Sequence, residues 1–163
     1  MTHAMRTLQV VAALAAVSCA RSPSAPPAGD PCSAAALGLG KATRAAPWQP
    51  PPGCSLAGRG GPPVLVRSEA ELRAAVTCAG DVTSGIDFAA HALVLQSITL
   101  SPASTGADVF DDGAVVTVVT RQRRPCPGDP QPMPIGHTVA ALVSGAGERT
   151  VRESTCVADT TCR

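Results

Sequence analysis

The sequence predicts an α+β domain: a small, mostly antiparallel sheet with one helix, stabilised by disulfides and preceded by a disordered tether. Three observations lead there: one stretch of helical spacing behind a capping signal, several short apolar runs separated by turn residues, and six cysteines downstream of an apolar leader. A chain of 163 residues accommodates one domain with appendages, and 16 Pro and 15 Gly commit much of it to loop. Hydrophobic residues make up 45% but aromatics only 2%, so the core is built from Val, Leu, Ile and Ala. Each such side chain removes less area from water than an aromatic, at about 25 cal/mol per Å², which raises the value of covalent cross-links.

The first segment, "MTHAMRTLQVVAALAAVSC", has a basic residue at Arg6, an apolar run from Leu8 to Val17 and small residues after it, the three-part pattern of an export signal. The run is well short of the roughly 20 apolar residues that span a bilayer. Residues 1–18 are therefore expected to be a signal peptide. "AAVSC" resembles the lipobox of bacterial lipoproteins, with Ser18 and Cys19 in the matching positions and Ala16 where that family usually has Leu. The resemblance implies that Cys19 is diacylated and becomes the new N-terminus, anchoring the chain to a membrane. Because Ala20 follows in place of an acidic residue, it also implies the outer membrane of a Gram-negative envelope. Cleavage after Ala20, at the small-x-small site Ser18 to Ala20, is the competing pattern and would give a periplasmic or secreted protein. Either leaves Cys32, Cys54, Cys78, Cys126, Cys156 and Cys162, an even set that suits three disulfides in an oxidising compartment.

Residues 19–31 are Pro- and Ser-rich with no apolar period, the composition of an extended tether. Residues 32–63 are broken by "APWQPPPGC" and "GRGGPP" and read as irregular, with Cys32 and Cys54 as one candidate pair. The α+β domain is expected over 64–163. "PVLVR" is a short strand. Ser68 precedes Glu71 by the spacing of a capping box, and Leu72, Ala75 and Val76 share a face, so a helix is expected from Glu69 to Cys78. A buried strand follows over Ala92 to Leu100. Asp112-Gly113 is a hairpin turn that pairs Val109 and Phe110 back against Ala114 to Thr120. A second hairpin is read from Thr138 to Val143 and from Thr150 to Ser154, its outer strand protected by Arg149 and Arg152. Cys156 and Cys162 are expected to close a small loop or to bond to the sheet.

A strand, then Ser68, Glu71 and Leu72 opening a helix, then Ile86, Asp87 and Phe88 leading into Leu93 to Leu95, then a hairpin and two closing strands: this order resembles the C-terminal domain of the protease complex subunit PrcB family over Val64 to Glu153. The family's "TGGY" stretch is represented only by Thr105 and Gly106. The resemblance implies an exported accessory subunit that is not itself a protease.

Charge excludes one class of partner. Loss of Arg6 with the leader lowers the 13 basic side chains to 12, equal to the 12 acidic ones, and stacking aromatics are scarce, so nucleic acid is not an expected ligand. The one basic cluster, Arg121, Arg123 and Arg124, reads as a solvated loop or a contact patch. His91 and His137 sit at strand ends. Ser144 lacks the spacing of a nucleophile elbow, and Asp108, Asp111 and Asp112 lack that of a calcium loop. No cofactor or metal is expected. The sequence thus points to a lipid-anchored, non-enzymatic binding or accessory module with an envelope or secreted protein partner. The alternative is a small exported hydrolase or metal-dependent enzyme using His137, Ser144 or the Asp108 to Asp112 cluster.

Overall fold

In a computed structural model of the protein, the described residues are 29–57, 60–79, 86–100, 103–129, 134–145 and 147–158. The leader, Cys19, the tether up to residue 28, and Cys162 lie outside them. In chain order the elements are β1 (Thr43–Arg44), β2 (Ala46–Pro47), β3 (Ser55–Leu56), β4 (Val64–Val66), α1 (Glu69–Ala75), β5 (Val76–Thr77), β6 (His91–Leu100), β7 (Ser104–Asp111), β8 (Val115–Arg123), β9 (Ile135–Ser144) and β10 (Thr150–Ala158). The described residues are mostly sheet with one short helix, antiparallel pairs dominate, and disulfides cross-link them, as the sequence predicts.

The strands divide into two four-stranded sheets, β1-β7-β8-β10 and β2-β9-β6-β4, with β3 and β5 as a small separate pair. The two large sheets face each other across Ala92, Val94, Val109, Val116, Val118, Val139, Ala141 and Val143, all buried. Small branched side chains suffice because two flat faces interdigitate over a thin layer. The other face of the β6-β9 sheet packs under α1 and the β3-β5 pair, around Val66, Leu72, Val76, Leu93 and Leu95. Leu93 to Leu95 are almost entirely inaccessible because this sheet is covered on both sides. The outer face of the β7-β8 sheet is covered by the turns of residues 30–42, which bring Leu37 and Leu39 onto Phe110, Val119 and the Cys32 and Cys156 sulfurs.

Each cover is fastened by a disulfide. Cys32 bonds to Cys156 on β10, and Cys54 bonds to Cys78, tying β3 to the end of β5. The expected Cys32–Cys54 pair and the local Cys156–Cys162 loop are both corrected by this arrangement. Cys32 lies against the outer face of one sheet while Cys54 lies beyond the opposite face of the other, so the whole sandwich separates them. Cys126 is also disulfide-bonded, to a partner outside the described residues.

Residues 32–63 contain no long element but are not merely irregular. β1 pairs with β7, Ala45 crosses between the sheets with its N–H on the Val109 carbonyl at 2.8 Å, and β2 pairs with β9. Five residues thus close one side of the sandwich, and Pro47 is tolerated because β2 is an edge strand.

Ser68 caps α1 as expected, its Oγ accepting from the Glu71 N–H at 3.2 Å, while Glu71 Oε2 accepts from the Arg67 N–H at 2.6 Å. The helix stops at Ala75 rather than Cys78, since Val76 and Thr77 pair with Leu56 and Ser55 beside the Cys54–Cys78 bond. The β7-β8 hairpin is present, with Val109 opposite Val118 and Phe110 opposite Thr117. Gly113 at φ +93° makes its turn, and Asp112 Oδ1 accepts from the Ala114 and Val115 N–H groups at 2.9 and 2.6 Å. Those bonds, Val115 first, hold the Asp112 carboxyl below its ordinary range.

The second hairpin is not formed. β9 pairs with β6, while β10 runs parallel to β8 over nine residue pairs, Thr150–Val115 to Ala158–Arg123. β6 and β2 occupy both edges of β9, so the chain leaves for the other sheet. It has then crossed between the sheets twice since β8, which restores the direction of β8. Arg149 is correspondingly not a solvated guard: its side chain is only 7% exposed, donates to the Gly145 carbonyl at 2.6 Å and to that of Ser144, and forms an ion pair with Asp111 at 3.3 Å. Arg152 does lie exposed on the outer strand β10, and its Nε donates to Thr117 Oγ1 at 2.9 Å.

A polar cleft between the sheets

Side chains alternate along each strand, so the positions facing the space between the sheets can be followed from the apolar core outward. On β6 the series runs Ala92, Val94, Gln96, Ile98; on β8, Val116, Val118, Thr120, Gln122; on β10, Val151, Glu153, Thr155; and on β9, in the opposite direction, Val143, Ala141, Val139, His137. Every series begins apolar and acquires polar residues towards the same end, with Ile98 on β6 remaining apolar and packed on the core. Gln96 lies opposite Val139 and Glu153 opposite Val118; one step further out come Thr120, Thr155 and His137. One end of the space between the sheets is therefore an apolar core, and the other end is a mouth where polar side chains stand beside Ile98.

The side of the mouth between β6 and β10 is a cleft of about 330 Å³, bordered by Gly60, Gly61, Gln96 to Thr99, Ser104, Thr120, Gln122 and Glu153 to Thr155. Its existence follows from where β4 begins. Pro62 and Pro63 have no N–H to offer a ladder, so β4 pairs with β6 only at Leu93 to Leu95. Among the described residues, no strand covers β6 from Gln96 onward on that side. β10 is the outer strand of the facing sheet, so two open strand edges flank the cleft.

Gln96 forms the floor. It is 6% exposed, its Nε2 donates to the Gly61 carbonyl at 3.2 Å and to Glu153 Oε1, and its own Oε1 is buried without a donor among the described residues. The two acceptors fix the orientation of the amide, because reversing it would set oxygen against oxygen. A buried amide oxygen left unbonded costs about 1 to 3 kcal/mol, a cost removed by any donor that reaches it.

The residues singled out in the sequence are distributed differently. Arg121 does not present a free charge: it donates to Asp30 Oδ2 at 2.7 Å and Oδ1 at 3.2 Å, and to Asp108, which also takes Arg44. The Asp30 carboxyl is held below its ordinary range by Arg121 first and the Cys32 N–H second, and Arg121 is held more firmly protonated in return. Arg123 pairs with Asp129 at 3.1 Å. The Arg124 N–H donates to the Ala158 carbonyl.

Asp108, Asp111 and Asp112 face three different sets of partners, namely arginines 44 and 121, Arg149, and the hairpin turn; among the described residues no cluster of three metal-ligating side chains forms. His137 and Asp108 border one groove of about 360 Å³ with Arg44 and Trp48. Ser144 is seven positions from His137 along β9, about 23 Å away, opposite His91.

The cleft residues were not singled out in the sequence. The only signal available was the switch from apolar to polar at alternate positions, in "LVLQSI" and "VVTVVTRQ", and it cannot be assigned to one site without knowing which strands face each other. No protein-family model matches the chain, and neither a curated protein nor a solved structure matches it.

Proposed function

We propose that the protein is an exported bacterial lipoprotein whose disulfide-fastened domain is a non-enzymatic binding or accessory module at the cell envelope. The observation that carries the reading is the cleft: a sandwich core that turns polar at one end and holds a buried, unbonded acceptor has the form of a ligand site, mostly preformed and lined by few polar groups. The leader, Cys19 and the even cysteine set supply the address, and two well-separated disulfides suit an oxidising compartment. On this reading residues 19–31 are a lipid-anchored tether, with Asp30 near its far end docked on Arg121. Outer-membrane anchoring and the accessory role implied by the resemblance to PrcB belong to the same proposal. The hydrolase reading is weaker, because Asp108 is engaged by two arginines and Ser144 lies at the other end of β9 from His137.

Two measurements test it. Intact mass of the membrane fraction is expected to start at acylated Cys19, with six cysteines labelled only after reduction; an unlipidated chain starting at Arg21 would overturn the anchor. A photo-crosslinking side chain introduced at Gln122, in the cleft, is expected to trap a discrete envelope component that the same group at Glu69, on the helix surface, does not. Equal labelling from both positions, or none from either, would overturn the binding role.

A further inference from the structure

Most of the described carboxylates of the β7-β8 sheet and its cover are answered by arginine, while Asp112 is held by the backbone N–H groups of its turn. Asp30 and Asp108 share Arg121, Asp108 also has Arg44, Asp111 has Arg149, and Asp129 has Arg123. Glu153 has no cationic partner among the described residues; it accepts only from the amide of Gln96. It stands at the cleft, where the other bordering side chains are mostly hydroxyls and amides and none of the described ones is basic. Next to it is a buried amide oxygen with no donor among the described residues, on a side chain more than nine-tenths buried. Among the described residues the cleft therefore borders two acceptors, the Gln96 Oε1 without a donor and the Glu153 carboxylate without a counter-charge, and no cation.

We propose that this cleft binds an alkylammonium group, one N–H directed to Gln96 Oε1 and the charge set against the Glu153 carboxylate. An ammonium has three donors and no acceptor, the complement of this floor, and charge-assisted hydrogen bonds to a carboxylate are about twice as strong as neutral ones. An anionic ligand would meet like charge. A neutral hydroxyl would supply a donor but leave the carboxylate without a counter-charge. The apolar stem has its own contact: Ile98 borders the cleft, and Val157, 50% exposed, follows Thr155 on the same face of β10. At about 330 Å³ the cleft takes a single side chain or chain end, so the ammonium is one terminus of a larger ligand. The shared chemistry covers a peptide amino terminus and a lysine side chain.

The inference rests on the cleft being the binding site of the module. Its test uses the folded, oxidised protein and amide NMR, following the Gln96 side-chain amide and the Glu153 and Thr120 backbone resonances during titration with n-hexylammonium, n-hexanol and hexanoate. Saturable shifts are expected with hexylammonium, at least tenfold weaker binding with hexanol, and none with hexanoate. Glu153→Gln, a near-isosteric change at an exposed position, is expected to weaken hexylammonium at least tenfold while leaving the rest of the spectrum in place. Gln96→Leu provides a second reading from the other acceptor and is expected to weaken it as well. Acetyl-Gly-Lys-Gly-amide and free-amine Gly-norleucine-Gly-amide then separate the side-chain source from the terminal one. Equal binding of hexanol and hexylammonium, shifts unaffected by Glu153→Gln, or the same shifts at lower concentration of calcium chloride would each overturn the proposal. If Gln122 crosslinking traps an envelope component while hexylammonium does not bind, the ammonium assignment fails and the binding module stands.

Discussion

Replacing the two described disulfides one at a time separates the contributions of the two covers. Cys32 and Cys156 close a loop of sequence separation 124, and Cys54 and Cys78 one of 24. In the chain-entropy treatment, the loop-closure terms evaluate at 25 °C to about 5 kcal/mol for the long loop and about 3.5 kcal/mol for the short one. The long loop carries a further cost, since Cys32 is 0% and Cys156 4% exposed, and two alanines there leave a void beneath Leu37 and Leu39. Against a total of about 5 to 15 kcal/mol for a domain, C32A/C156A is expected to remove a third or more of the stability and C54A/C78A distinctly less. Urea unfolding of the two double variants, followed by Trp48 fluorescence and far-ultraviolet circular dichroism, measures this. Trp48 is the only tryptophan and packs on the helix side of the sandwich, away from Cys32, so it reports the loss of the whole fold and not the peeling of one cover. The urea slope is expected to rise in C32A/C156A, because its unfolded chain is released from the longer constraint. If C54A/C78A proves equally or more destabilised, the loop-closure reasoning is refuted.

Other perturbations have distinct signatures. Leu72→Ala, at a fully buried position between α1 and β6, is expected to cost about 2 to 5 kcal/mol in urea unfolding, with a shifted Trp48 emission maximum in the native state. Arg149→Ala removes the partner of a nearly buried Asp111 and two carbonyl contacts, an expected loss of about 3 to 5 kcal/mol; adding Asp111→Asn is expected to recover part of it, and strict additivity of the two changes would contradict the pairing. Asp30 and Asp112 both titrate below their ordinary value of 3.8, so each contributes stability that is complete above that value and lost as pH falls through the lower folded pKa. The thermal midpoint is therefore expected to decline on acidification below about pH 4, and less steeply in D30N or D112A; an unchanged acid limb in both would rule these pairs out as its cause. Gly113→Ala, at φ +93°, is expected to cost about 1 kcal/mol by strain in the hairpin turn, measurable as a lowered urea midpoint.

Local signals were legible where their physics is local. Ser68 and Glu71 cap the helix within one turn, Asp112 and Gly113 make their turn through bonds spanning three residues, and the Leu93 to Leu95 run is apolar on both faces because both are covered. Composition and the even cysteine set indicated a light, cross-linked core without saying which sulfurs meet. The misreadings arose where a decision depended on distant chain, the cysteine pairs among them. Val76 and Thr77 left the helix because Ser55 and Leu56 were available to pair, and β10 passed over its sequence neighbour β9 because β6 and β2 already held both edges. The cleft belongs to the same category. Gln96, Thr120 and Glu153 look like ordinary polar positions in three separate strands, and only the packing of two sheets sets them on one inner face. The sequence by itself determined the longer strands, the start of the helix, the Asp112-Gly113 turn and the need for disulfides, since those depend on neighbouring residues and on composition. The tertiary structure decided the pairing of strands and cysteines and set Glu153 beside Gln96 with no cation among the described residues, because each is a choice among distant partners settled by which edges and faces remain open.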